Sequence, residues 1–249
     1  MAIIIDDKSR VFTLHTKNAT YQMKADAQNV LLHTYYGEKT DNSDKSLLFY
    51  QTDRGFSGNP HEMGKIDRTY SMDSLLQEYS CFGTGDYRIT SLKVQNKDGS
   101  RAAELRYTGY RVQKGKYGIP DMPAVYAETL VIRLEDPYSG MEVELYYGIL
   151  EDMDVITRAV KITNLGTEDL ILEKAASMNL DWEYGDFEWI SLYGRHSMEM
   201  NFQREGIHHG IQAIGSVRGS SSHQYNPFII LCEKGADERM ERQTAPYSD

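Results

Sequence analysis

Cysteine, proline and tryptophan are scarce in this 249-residue chain, at two, six and two residues. Cys81 and Cys232 stand far apart and in no metal or redox spacing. That excludes a disulfide scaffold and fits reduced thiols in an intracellular protein. Positive charge is short as well: 27 Lys and Arg against 37 Asp and Glu give a formal net charge of −10, the wrong sign for a chain that neutralises phosphates, so nucleic acid is not an expected partner. Long apolar runs are missing. Ile3, Ile4 and Ile5 give way at once to Asp6 and Asp7, too short for a signal sequence, and nothing approaches a membrane span. Without a secretory signal the sequon Asn18-Ala19-Thr20 carries no meaning.

Familiar catalytic signatures are missing too. Gly83-Thr84-Gly85 lacks the third glycine and the helix of a phosphate-cradling loop, and there is no His-Glu-x-x-His or Cys-x-x-Cys. His208 and His209 are neighbours, which on a strand sends them to opposite faces. Neither metal nor cofactor is expected.

Alternation of two is the dominant pattern of what remains. In residues 128–147, Leu130, Ile132 and Leu134 share one face, and after the turn signal Asp136-Pro137-Tyr138-Ser139-Gly140 the face resumes at Met141, Val143, Leu145 and Tyr147. This predicts an antiparallel hairpin with one wet face, on which Glu142 and Glu144 are solvated. A second hairpin is predicted from residues 89–94 and 103–107 around Asp98-Gly99, and a third from 155–163 and 170–173. Residues 12–21, 30–36 and 228–232 read as further strands, and only 72–79, after a capping Ser71, as briefly helical. Eight amphipathic helices are lacking, so a (β/α)8 barrel is excluded. The expected fold is all-β: a large antiparallel two-sheet sandwich, one domain with enough chain to bury its own core.

Residues 53–86 break the pattern with Gly, Pro, Asp and Arg, a length of loop that is functional or disordered in a compact domain. Asp53, Asp67, Asp73 and Asp86 crowd there with Arg54, Arg68 and Arg88, a cluster that more often ties down a loop through ion pairs than performs chemistry. Asp98, Asp136 and Asp169 read as turn formers. No paired-carboxylate glycosidase site can be read from spacing alone.

In the irregular segments the sequence becomes specific. Asp53-Arg54-Gly55-Phe56, Gln77-Glu78-Tyr79, Gly83-Thr84-Gly85-Asp86-Tyr87-Arg88, Glu135-Asp136-Pro137-Tyr138-Ser139-Gly140, Asp154-Val155-Ile156-Thr157-Arg158 and Asn226-Pro227-Phe228 resemble, in order, the N-terminal domain of the glycoside hydrolase family 36 α-galactosidases. The likeness covers residues 1–234. It implies a β-supersandwich from a cytoplasmic, retaining exo-glycosidase that removes terminal α-galactosyl units from oligosaccharides such as melibiose and raffinose. Both catalytic aspartates would belong to a (β/α)8 barrel that these residues do not include, so the 249-residue chain alone is expected to be inactive, a fragment with no catalytic residue of its own. Residues 235–249 match neither strand periodicity nor the family and are expected to be disordered or poorly packed. By the same resemblance the domain builds the contacts of a homotetramer and lends residues to a neighbour's pocket. Asp53 sits where the family places a carboxylate that binds sugar hydroxyls, with an ion pair inside its own loop as the alternative role. His196 stands where the family carries Trp or His lining the same pocket, and Met200 replaces a common arginine. The competing reading is a stand-alone carbohydrate-binding or self-associating β-sandwich module; an independent hydrolase is weaker for want of a carboxylate pair.

Overall fold

The computed structural model describes residues 2–49, 67–83, 85–120, 127–220, 222 and 224–237. The chain forms two compact units, residues 1–181 and 182–249. Among the described residues regular structure is β apart from two short 3-10 turns, and every strand pairing is antiparallel.

The first unit is a sandwich. One sheet is built from β1 (Ile3–Asp6), β2 (Val11–His15), β3 (Ala19–Ala25) and β4 (Leu31–Glu38) in that order. The facing sheet carries β6 (Arg106–Lys114), β7 (Glu128–Asp136), β8 (Met141–Leu150) and β9 (Val155–Asn164), again in order. Between them, Phe12, Leu14, Tyr21 and Met23 meet Leu130, Ile132, Leu145 and Tyr147 in one buried cluster. The period-two alternation aims these side chains inward, and each fully buried Leu, Ile or Phe contributes about 1.5–3 kcal/mol.

A separate pair, β5 (Leu92–Gln95) with β10 (Ile171–Ala175), adds Leu92 and Val94 to that core. This corrects the second and third predicted hairpins. The turn at Asn96–Ser100 does form, with Asn96 N–H donating to Ser100 O at 2.8 Å, but β5 then pairs with a strand some 75 residues later along the chain, a non-local choice that local pattern cannot show. Residues 12–21 divide into β2 and β3 around a turn, and 72–75 make a single turn in which Ser71 O accepts from Leu75 N–H at 3.1 Å, with no helix.

Both faces of the first sheet are covered. On its outer side Gln22 accepts from Lys45 N–H at 2.9 Å and donates to Ser43 O at 3.0 Å, while Lys24 reaches Asp44 at 2.5 Å. On the second sheet Glu144 is buried rather than solvated, paired with Arg111 and accepting from Tyr146 at 2.8 Å.

The second unit holds β11 (Phe187–Arg195) between β12 (Met198–Gly206) and β13 (Tyr225–Glu233). After β13, Lys234 N–H donates to Asp186 O at 3.1 Å and Gly235 N–H to Glu188 Oε2 at 3.1 Å; residues 238–249 lie outside the described residues.

Candidate functional site

Three places gather chemistry-bearing side chains. The first lies inside the sandwich. The irregular stretch after residue 67 runs beside β4, with His33 N–H donating to Leu76 O at 2.7 Å and Glu78 N–H to Leu31 O at 3.0 Å. That pairing turns Glu78 into the core, where it is fully buried. Tyr21 from β3 donates to both its carboxylate oxygens at 2.7 and 2.6 Å, and Tyr147 from β8 donates to Oε1 at 2.8 Å. Arg158 from β9 places Nη2 at 2.8 Å from Oε1, donates through Nη1 to Tyr21 Oη at 3.0 Å, and lies over the Tyr147 ring at 4.3 Å. His33 Nδ1 is 3.5 Å from Oε2.

Burial pushes the Glu78 carboxyl up, but the Arg158 charge and His33 outweigh it, so it stays ionised below the ordinary glutamate range. Burial drives Tyr21 and Tyr147 the other way, well above the usual phenol range, so both remain donors. With its oxygens engaged and no exposure, Glu78 is a structural anion and not a catalytic carboxylate.

The second place is the acidic and basic loop cluster. Asp86, buried, accepts from Arg88 Nε at 3.0 Å and from Gln77 Nε2 at 2.9 Å. Arg88 also donates to Leu75 O at 2.8 Å and meets Asp181 at 3.2 Å. Burial raises the Asp181 carboxyl, with Arg88 opposing. Asp67 accepts from Thr69 N–H at 2.8 Å, closing a local turn. Loop-tying is therefore what Asp67, Asp86 and Arg88 do. Among the described residues no group of three His, Cys, Asp or Glu could hold a metal.

The third place is the tip of the β11–β12 hairpin. His196 is exposed in the connecting turn. Ser197, at φ 60°, donates its N–H to Glu199 Oε1 at 2.7 Å, and Arg195 lays its guanidinium on Met198 Sδ at 3.0 Å. The ladder shifts between Tyr193 and Arg195, and Met200, opposite that shift, has φ 56°. Tyr193 pairs with Tyr225 across the sheet, and both are about half exposed. An exposed imidazole and exposed phenols on one three-stranded sheet are side chains that can meet sugar hydroxyls and faces. Asp53, the other sequence-derived sugar contact, lies outside the described residues. The structure thus presents His196 at a surface, while Glu78 and Arg158 have no assigned role in the sequence and Tyr147 only that of an inward-facing strand residue. The one signal for Glu78 and Arg158 is their place in motifs that hold charge next to apolar residues.

Comparison with known proteins matches these features to one family. A sequence profile of the glycosyl hydrolase family 36 N-terminal domain covers residues 29–241. The bifunctional alpha-galactosidase/sucrose kinase AgaSK of Mediterraneibacter gnavus is 50% identical over 243 residues, 96% of this chain and 26% of that protein. The solved galactosidase domain of AgaSK superposes with a TM-score of 0.89 at 49% identity, over 94% of this chain and 33% of that one. A variant of the alpha-galactosidase AgaA of Geobacillus stearothermophilus, solved in complex with raffinose, gives a TM-score of 0.86 at 40% identity, over 92% of this chain and 32% of its own. The chain spans about a quarter to a third of the length of the relatives it matches. From the profile match and the identity along nearly its whole length, the chain belongs to glycosyl hydrolase family 36 and corresponds to its N-terminal domain.

Proposed function

We propose that this chain is the N-terminal module of a cytoplasmic α-galactosidase that removes terminal α-galactosyl units from oligosaccharides of the raffinose type. The module is residues 1–234, with 235–249 beyond it. It serves assembly of a homotetramer and lends Asp53 and His196 to substrate, while a separate barrel domain supplies the nucleophile and the acid/base. The observation that carries this reading is the exposed placement of His196 in the β11–β12 turn, in a chain that follows α-galactosidases over 96% of its length. The chemistry would be double displacement between carboxyls about 5–5.5 Å apart; the buried carboxylates Glu78 and Asp86 are already engaged, by Tyr21 and by Arg88. Among the described residues no helix is long and apolar enough to cross a membrane.

The test has two arms. The purified 249-residue chain is expected to leave a chromogenic α-galactoside uncleaved, and turnover would overturn the assignment of chemistry to a barrel. In an enzyme that joins this module to its barrel, His196→Ala is expected to raise KM with little change in kcat; an unchanged KM would remove His196 from the substrate site.

A further inference from the structure

At one end of the first sandwich three turns enclose an open cleft of about 1140 Å³. They are Asn96–Ser100 after β5, Asp136–Gly140 between β7 and β8, and the turn at residues 164–168 after β9. We propose that this cleft binds a neutral oligosaccharide, an inference that does not depend on the role given to His196.

The first support is preorganisation. Leu165 N–H donates to Gly140 O at 3.0 Å, locking the second turn to the third. Gly140 sits at φ 71°, and a Cβ there would stand 3.0 Å from the Gly166 backbone; a Cβ on Gly166 would collide outright with Ser139 O. Only glycines permit this approach. Asp136 clamps the same turn by accepting from Tyr138 N–H at 3.1 Å and Ser139 Oγ at 2.8 Å. The walls are fixed before any ligand arrives, which spares the cost of ordering them.

Tyr138 is the second. It is 80% exposed on that clamped turn, among the cleft-lining residues. A solvated phenol ring on a clamped backbone offers a flat apolar face and a polar tip, the combination that suits a sugar ring.

Charge is the third. The lining holds Lys97 and Arg106 against Asp98, Glu104 and Glu168, two positive and three negative. Lys97 pairs with Glu168, and Arg106 with Glu104. A near-neutral lining attracts neither phosphates nor a polycation. Ser139 Oγ is spent within its turn, on Asp136 and Met141, whereas the Thr167 hydroxyl, the Ser100 O–H beyond its bond from Asn96, and the further lone pairs of Asp98, Glu104 and Glu168 leave donors and acceptors side by side on the lining. A ligand carrying many hydroxyls and no charge satisfies that array. The volume lies just above the usual range of about 300–1,000 Å³ for ligand sites, room for several linked rings.

The experiment is titration of the isotopically labelled 249-residue chain with two neutral tetrasaccharides, stachyose and maltotetraose, and with a phosphorylated sugar, read by NMR shift changes. Shifts at the three turns with a Kd on the order of 1 mM are expected for at least one tetrasaccharide and not for the phosphorylated sugar. Tyr138→Ala is expected to weaken binding about tenfold and Tyr138→Phe to retain it. His196→Ala is expected to leave it unchanged. Since Tyr138 is exposed, a thermal melt of Tyr138→Ala should match the parent. Absence of turn shifts, equal binding of the phosphorylated sugar, or indifference to Tyr138→Ala would each overturn the proposal, as would selection of a peptide in place of saccharide at these turns.

Discussion

Replacing Arg158 by methionine keeps most of the buried volume and removes the charge that Glu78 was desolvated to meet. The carboxylate would retain the Tyr21 and Tyr147 hydroxyls at 2.6 to 2.8 Å but lose the guanidinium at 2.8 Å and its stacking on Tyr147. Breaking a buried pair by removing one member costs about 3–5 kcal/mol. Two remaining hydroxyl donors favour the lower end. For a unit of this size a loss of about 3 kcal/mol lowers the melting midpoint by roughly 6–12 °C. Trp182 and Trp189 both belong to the second unit, so tyrosine near-UV circular dichroism is the signal that follows the sandwich. A double variant, Glu78→Leu with Arg158→Met, removes both charges together and should cost less than the two single changes added, by roughly 0.5–3 kcal/mol of coupling. The pH dependence has a definite sign. Glu78 titrates below its ordinary 4.5 in the folded state, so its contribution is fully present above that pH and disappears as pH falls through the folded value. Glu78→Gln should therefore flatten the acid limb of the stability curve. A loss below about 1 kcal/mol for Arg158→Met, or full additivity in the double variant, would refute the account of this network as a coupled buried pair.

Cys81 is buried and its thiol is pushed up to about 12 by burial, so in the native state near neutral pH a thiol reagent should leave it unmodified and reach only the half-buried Cys232; two thiols should react after denaturation, and rapid native modification of Cys81 would contradict its packing. Gly166→Ala forces Cβ into Ser139 O and should destabilise the sandwich by about 1–3 kcal/mol, measured by urea unfolding; a neutral outcome would mean the two turns move apart freely.

Much of the fold follows from short-range pattern. The alternation through β7 and β8 set the inner face correctly for Leu130, Ile132, Leu145 and Tyr147, because a two-residue period aims side chains without reference to anything distant, while on the other face, expected to be wet, Thr129, Val131 and Glu144 are buried. The misses share one physical cause. The pairing of β5 with β10 is decided by what covers Leu92 and Val94, a contact made by chain some 75 residues away. The burial of Glu144 depends on Arg111 arriving from β6, and that arrival reverses the meaning of a charged residue on a strand.

The polar motifs are where these two kinds of information meet. Gln77-Glu78 brings the buried anion, Asp86 and Arg88 fasten the stretch that delivers it, Arg158 closes the pair from β9, and Asp136 shapes the turn that holds Tyr138. Among the described motifs, those carrying Glu78, Asp86, Arg88, Asp136 and Arg158 each hold a charge whose partner comes from elsewhere in the chain or from a tight turn. A charge of that kind is costly to move by one position, because the desolvated partner would be left alone. That cost distinguishes such residues from the apolar strand positions, which exchange among Leu, Ile and Val with little penalty. His196 differs from both. The contacts that shape its turn, Ser197 N–H donating to Glu199 and the Arg195 guanidinium on Met198 Sδ, are made by its neighbours. His196→Ala should accordingly leave unfolding of the second unit, followed by Trp182 and Trp189 fluorescence, within about 0.5 kcal/mol of the parent, and a larger loss would assign the ring to the hairpin and not to a ligand.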